Sequence, residues 1–379
     1  MKKRVVMIVY NEIDYDGRVQ RSAVALSHNY DLTVVSIDSC RNYYNENFTT
    51  KAIRLPCIKN FKWIRHFLFW LKATPIIIHL KPHICYSHDF FVAFPGLIWS
   101  YLTRSKYVYD AHELIIPEKG KKQSKKETFF YLLEKISVNF SNLVIAANKE
   151  RSNLMKEHYA LKKAPLIIRN IPHAPEQCNE NIFHEYTFLK NKDQDEIWLV
   201  YQGDINLERG IKPFMMAMQH TDRRFKLLFI GGGPDLNYIK RFVIDKQLNE
   251  KILILGKIPR DHLHLILTSC DIGIVTYPFQ GLNNIYCASN KIFEYAQAGL
   301  SVLATCQPPL RSIIEKYKLG ILLGCNNQSI LTESIIDALL KLSKQKCFQK
   351  EIHTFLFDNQ WKTEAKKLLN NIRTMLKNK

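Results

Sequence analysis

The sequence has no CxxC pair among its nine cysteines. Cys40, Cys57, Cys85, Cys178, Cys270, Cys287, Cys306, Cys325 and Cys347 are scattered and odd in number. That pattern reads as reduced thiols in a cytosolic protein, not as a disulfide framework or a zinc site, and no metal site is expected. The chain also lacks the ~18-residue apolar run that a membrane span needs. Its nearest approach, 61–80, is broken by Lys62, Arg65, Lys72 and the Thr74-Pro75 step. No secretory leader is expected: Lys2, Lys3 and Arg4 precede an apolar run, 5–10, that is too short and is followed by Asn11, Glu12 and Asp14. Helix-turn-helix, zinc-finger and RNP-type patterns are missing, so no nucleic-acid partner is expected.

Negative charge is scarce. Against 54 Lys+Arg stand 35 Asp+Glu, a net +19 over 379 residues. Residues 1–170 carry +13 of it and the remainder +6. Such a field favours anionic partners, among them acidic lipid headgroups and phosphorylated substrates. A lysine-rich proteome would give the same bias. The composition, 46% hydrophobic and 23% charged, is that of a globular enzyme long enough for two domains.

Short buried runs at 5–9, 32–37, 84–86, 107–109, 143–146 and 166–168 alternate with helical spacing. One such helix is 18–27, with Val19, Ala23 and Leu26 on one side. After Pro172, Pro175 and a polar stretch, 176–196, the pattern restarts at 197–201, 227–230, 252–255, 272–275 and 301–304. This predicts two α/β halves with doubly wound parallel sheets, and ligands at the carboxyl ends of the strands. The divisions expected are 1–172, 173–358 and a terminal helix, 359–379, that packs plainly or reaches back over the first domain. The segment 61–80 mixes Trp63, Phe67, Trp70 and Leu71 with Lys59, Lys62, Arg65 and Lys72. It reads as a core-facing helix or as one lying on a membrane surface. The lysines of 119–126 read as a basic loop, solvated or meeting anionic headgroups.

Chemistry gathers at the ends of the predicted strands. Asp16-Gly17-Arg18-Val19 follows the first, and its glycine allows a sharp turn with backbone N–H groups near an anion. Ser87-His88-Asp89 and Tyr109-Asp110-Ala111-His112-Glu113 follow two consecutive strands. One histidine there would be structural, but two such clusters read as a site. Gln202-Gly203-Asp204 and Glu208-Arg209-Gly210 open the second half, and Arg209 suits a diphosphate. Gly231-Gly232-Gly233 permits a nucleotide to approach the backbone or makes a tight turn. Ser289-Asn290-Lys291-Ile292-Phe293-Glu294 reads as a loop entering a helix. Its start and Lys291 would hold phosphate, and Glu294 would accept ribose hydroxyls or merely complement the helix dipole.

In this order and spacing the motifs resemble family 4 of the retaining glycosyltransferases, most closely the bacterial members that build capsular polysaccharide, exopolysaccharide or O-antigen. The resemblance implies a GT-B fold, two Rossmann-like domains with parallel sheets facing a central cleft. It implies transfer of a hexosyl group with retention and without a metal, from a UDP- or GDP-sugar to a glycan or polyprenyl-diphosphate-linked acceptor. By it, His112, Arg209 and Lys291 are catalytic. Gly17, Gly203, Arg209, Gly231, Ile258, Asn290, Lys291 and Glu294 bind donor, and His88, Asp89 and Glu113 lie on the acceptor side. It also implies a cytoplasmic protein, in peripheral contact with the inner face of the cell membrane through the basic first domain. Two positions depart from the family pattern: Tyr286 stands where many members have a second glutamate, and Asp204 where many have arginine. Lys291 or Arg18 would then supply the missing cationic help. An epimerase or phosphorylase on the same fold, or a non-catalytic sugar-nucleotide-binding protein, are the other readings.

Overall fold

The structure, a computed structural model, describes residues 2–38, 45–56, 62–118, 120–173, 185–324, 332–344 and 349–377. The linker reading over 174–184, five of the cysteines (Cys40, Cys57, Cys178, Cys325, Cys347), Lys59, Phe61 and Lys119 fall outside them, as does the side chain of Lys62. The chain divides into two units, Met1–Asn170 with Trp361–Lys379, and Ile171–Gln360.

The first unit opens with β1 (Arg4–Glu12), α1 (Gly17–Ser27), β2 (Asp31–Ile37) and β3 (Thr49–Ile53). It continues through α2 (Lys62–Leu80), β4 (Ile84–His88), α3 (Ala93–Leu102), β5 (Lys106–Ala111) and α4 (Lys125–Phe140). β6 (Leu143–Ala146), α5 (Lys149–His158) and β7 (Leu166–Ile167) complete it. The strands pair in parallel in the order β3-β2-β1-β4-β5-β6-β7. Unbroken apolar runs such as Val5–Val9, all at most 2% exposed, suit strands covered on both faces. The polar strand β3 escapes that criterion because it lies at the edge and shows most of its residues to solvent.

Local chemistry sets the helix starts. Asp16 caps α1 by accepting from the Val19 N–H at 3.1 Å. Ser124 and Glu127 form a capping box at the start of α4, so Lys125 and Lys126 are helical where a basic loop was expected. The hydroxyls of Tyr109 and Tyr159 donate to Glu134, which ties α4 inward; burial pushes the Glu134 carboxyl up to about 7. The last helix, α14 (Trp361–Lys377), belongs to this unit. Its Trp361, Leu368 and Ile372 share a core with Val19, Ala23 and Leu26 of α1. Arg169 donates to Glu364 through Nε at 3.0 Å and Nη2 at 2.8 Å.

The second unit runs β8 (Ile197–Asp204), α6 (Lys212–Ala217), β9 (Phe225–Gly232), α7 (Leu236–Asp245), β10 (Ile252–Gly256), α8 (Arg260–Thr268) and β11 (Ile272–Val275). It goes on through α9 (Leu282–Ile285), α10 (Lys291–Gln297), β12 (Ser301–Thr305), α11 (Pro308–Tyr317), β13 (Gly320–Leu323), α12 (Thr332–Lys344) and α13 (Gln349–Asp358). Its parallel order is β10-β9-β8-β11-β12-β13. Each face of this sheet carries its own apolar core, one around Val200 and Phe293, the other around Tyr201 and Phe229. In both units strand order reverses beside the first strand, between β1 and β4 and between β8 and β11. The carboxyl ends of strands flanking such a switch point form the ligand crevice of open α/β sheets.

Candidate active site

Both groups of motif residues gather at those switch points. In the first unit Arg18, on α1, is 5% exposed and grips Asp110 at the end of β5. Its Nε donates to Oδ2 at 3.0 Å, its Nη2 to Oδ1 at 2.6 Å, and its Nη1 to the Ile168 carbonyl at 2.8 Å. Burial alone would raise the Asp110 carboxyl, but the Arg18 guanidinium and the histidines beside it hold it well below the usual carboxylate range. Asp110 anchors the imidazoles: His88 Nδ1 lies 3.4 Å from Oδ2 and 3.1 Å from His112 Nε2. His112 Nδ1 turns toward Asp16 at 3.8 Å. Burial outweighs these carboxylates and lowers the pKa of His112, which keeps its imidazole neutral near pH 7. Arg18 is therefore engaged by Asp110 and the Ile168 carbonyl.

His88, Asp89, His112 and Glu113 thus come together with Asp16-Gly17, through Asp110. Asp89 holds φ at +68°, a left-handed conformation uncommon outside glycine, while its side chain accepts from the Phe90 N–H at 2.9 Å. Burial pushes its carboxyl up to about 6 against the pull of His112 and that N–H. Glu113 is exposed and pairs with Arg151 at 3.8 Å. His88 Nε2 is buried with no hydrogen-bond partner.

In the second unit β8 ends on Gln202 and Gly203, and the Leu207–Arg209 turn follows. Lys291 and Glu294, three residues apart, share one side of α10. Gln202 Nε2 donates to Glu294. Gly203 holds φ at +116°, and a Cβ there would lie 3.4 Å from the Cε of Lys291. Gly231 is tighter still, because a Cβ there would meet the Gly203 carbonyl at 1.9 Å. These glycines keep the tips of β8 and β9 bare beside the Lys291 ammonium.

The cations rest on aromatic faces. Lys291 Nζ lies 4.1 Å from the centroid of Tyr201 and 5.7 Å from that of Tyr277. The Arg209 guanidinium carbon lies 5.8 Å from Tyr277, and its Nη1 donates to Asn284 Oδ1 at 3.0 Å. Tyr277 is itself fixed: its N–H donates to Thr305 Oγ1 at 3.1 Å, and Gln307 Nε2 donates to its carbonyl at 2.6 Å. Thr305 and Gln307 are fully buried. Burial and the nearby Arg209 push Lys291 down to about 8, while Glu294 and Asp204 pull the other way. Three buried polar atoms at this spot have no hydrogen-bond partner: Gln202 Oε1, Ser289 Oγ and Asn290 Oδ1. Unsatisfied polar atoms are rare in native structures, and ligand sites are one place that tolerates them.

Gly203, Gly231, Arg209, Asn290, Lys291 and Glu294 therefore converge. Ile258, in the loop after β10, packs against the core that Tyr277 also packs against. The motifs did not reveal Tyr201, Tyr277 or Asn284 as supports of the two cations. Nothing in a lone tyrosine or asparagine signals such a role, because the contacts join positions up to 90 residues apart.

Two Rossmann-like units with parallel seven- and six-stranded sheets make this a GT-B fold, the architecture of a large class of glycosyltransferases. Residues 183–354 match the family model of glycosyl transferases group 1, and form a domain of that kind. HepE from Anabaena, solved in complex with UDP, is similar over 98% of this chain and 100% of its own, with a TM-score of 0.73 at 12% identity. Sucrose-phosphate synthase from Thermosynechococcus elongatus is similar over 100% of both chains, with a TM-score of 0.76 at 13% identity. WaaG, a glycosyltransferase involved in lipopolysaccharide biosynthesis, is similar over 96% of this chain and 98% of its own, with a TM-score of 0.71 at 13% identity. No curated protein sequence matches the chain.

Proposed function

We propose that this protein is a retaining, metal-independent hexosyltransferase of family 4. It moves a sugar from a UDP- or GDP-sugar to a glycan or polyprenyl-diphosphate-linked acceptor in cell-surface polysaccharide biosynthesis. One observation carries the reading: Arg209, Lys291, Glu294 and three unsatisfied polar atoms meet at the switch point of the group 1 domain. That HepE has been solved with UDP-glucose supports a nucleotide sugar as the ligand class. The reading places the protein in the cytoplasm with peripheral contact at the inner face of the membrane. The described residues include no helix long and apolar enough to cross one.

In this reading the bond between the sugar's anomeric carbon and the diphosphate oxygen breaks, and the acceptor hydroxyl forms the new bond on the same face. The acceptor's proton goes to the departing diphosphate. Charge grows on the diphosphate as the bond lengthens, and Arg209 and Lys291 stabilise it where water is largely excluded. Their aromatic supports hold both in place before the reaction, so little reorganisation is needed. Glu294, oriented by Gln202, accepts the ribose hydroxyls. His112, neutral, hydrogen-bonds the transferred sugar, Gly17 approaches the diphosphate, and His88, Asp89 and Glu113 serve the acceptor.

A panel of UDP- and GDP-sugars read by thermal shift identifies the donor, because a ligand of the folded state raises the melting temperature. Glu294→Ala is expected to weaken donor affinity by about 10- to 100-fold, the worth of hydrogen bonds to a charged group. Unchanged affinity would remove Glu294 from the site. Release of free or epimerised sugar without acceptor would select the epimerase or phosphorylase reading, and binding with no transfer across an acceptor panel the non-catalytic one.

Lys291 makes donor binding depend on pH. Its ammonium is present below about 8 and lost above it, so donor affinity is expected to fall as pH rises from 7.5 to 9.5. Titration calorimetry across that range measures the decline. Lys291→Arg keeps its charge throughout and should flatten the profile; an identical decline in the variant would assign it to another group.

A further inference from the structure

Of 17 large hydrophobic side chains exposed among the described residues, 11 lie on α2, α3 and α4, so exposure is concentrated on one layer of the first unit. α2 packs on α3, and α3 on α4. On α2 the exposed residues are Trp63, Phe67, Leu71 and Ile78, whose spacing puts them on one stripe, while Phe69, Ala73 and Ile77 form the buried stripe. On α3 they are Ile98, Tyr101 and Leu102, and on α4 Phe129, Leu132, Ile136 and Phe140, again one stripe each. Exposed apolar stripes on three adjacent helices are the kind of surface that marks an interaction site rather than scattered surface hydrophobics.

The charge around them is mostly positive. α2 and α3 contain no Asp or Glu. On α4, Glu127 is exposed but held in the capping box and Glu134 is buried, whereas Lys125, Lys126 and Lys135, and Lys72 on α2, are exposed. Where the three helices end, a cavity of about 610 Å³ is lined by Lys3, Arg4, Lys81, Arg104 and Lys106, with no carboxylate in its wall. The helix C-termini bring about −0.5 charge each, which five cations exceed. Ile78, Leu102 and Phe140 lie within three residues of this cavity's wall along the chain.

We infer that this face docks on an anionic phospholipid bilayer: α2 lies in the interfacial plane with the α3 and α4 stripes beside it, and the cationic cavity receives phosphate headgroups. The charge decides against a second copy of the chain, since residues 1–170 carry +13 and two such faces would repel. The inference rests on the membrane-contact part of the proposed function and stands apart from the transfer reaction.

The test is cosedimentation of the full chain with vesicles of phosphatidylcholine alone or with phosphatidylglycerol added, at low and high salt. Binding should require phosphatidylglycerol and weaken with salt. Phe67→Ser with Leu71→Ser, and separately Lys81→Glu with Arg104→Glu, should each weaken it by about tenfold or more. The donor-induced rise in melting temperature should survive in both variants, which shows that they fold. Equal sedimentation with both vesicle types, wild-type binding by the variants, or a stable dimer that the apolar variant dissolves would overturn the proposal. A chain that binds these vesicles but responds to no nucleotide sugar would overturn the proposed function and leave the docking face standing.

Discussion

Asp110→Ala is expected to destabilise the first unit by about 3–5 kcal/mol, the usual cost of removing one partner of a buried ion pair. Asp110 is 1% exposed and Arg18 5%, so the deletion strands a guanidinium where water cannot replace the lost carboxylate. For a unit of this size each kcal/mol shifts the melting temperature by about 2–4 °C, so the drop should reach roughly 6–20 °C. The double substitution Arg18→Met with Asp110→Leu should recover much of it, because removing both charges together leaves neither unpaired. Thermal and urea unfolding of the two singles and the double measure the coupling. An Asp110→Ala loss below about 1 kcal/mol would mean that Arg18 finds another partner. The sign with pH follows from the depressed carboxyl: the stabilisation is present above the ordinary Asp value and is lost only as pH falls toward the folded-state value.

Arg209→Ala is expected to lower the rate of sugar transfer by about 10²–10³-fold, the effect of removing one oriented donor from developing charge. The side chain is held by Asn284 at 3.0 Å and by the face of Tyr277, so it is positioned before any ligand arrives. Its neighbour Lys291 is only partly protonated above neutral pH, and Asp204 stands where the family resemblance led one to look for an arginine. Arg209 is therefore asked to supply most of the fixed positive charge. Arg209→Lys should fall between the two, since it keeps the charge but not the planar fork. Steady-state kinetics with the donor found by thermal shift, and donor affinity measured separately, distinguish a transition-state loss from a binding loss. A rate within about threefold of wild type would exclude Arg209 from the transition state.

Much of the architecture was legible because buried parallel strands are written as unbroken apolar runs. Eleven of the thirteen strands among the described residues coincide with such runs. The two that were not anticipated, β3 and β13, are edge strands of their sheets. β3, Thr49–Ile53, is largely polar, and β13 is only four residues long. The basic stretch before α4 reads as loop because lysines alone carry no helix signal, whereas the capping pair Ser124 and Glu127 starts the helix. The core-facing reading of 61–80 is met by the buried stripe of α2, Phe69, Ala73 and Ile77, while the exposed stripe beside it is what the docking proposal rests on.

What the sequence determined by itself is the set of chemical groups and their place at strand ends: Arg209, Lys291 and Glu294 in one half, His88, Asp110 and His112 in the other. Local spacing suffices for that, because a strand followed by a turn and a helix is a short-range pattern. The tertiary structure alone decided how those groups are used. It ties Arg18 to Asp110 across 92 residues. It sets Gln202 against Glu294, and Tyr201 and Tyr277 beneath Lys291. Those pairings follow from strand order and burial, which bring distant positions together and make water unavailable to them. An ion pair, a lowered lysine and an unsatisfied oxygen are properties of that enclosure, and no local pattern of residues encodes them.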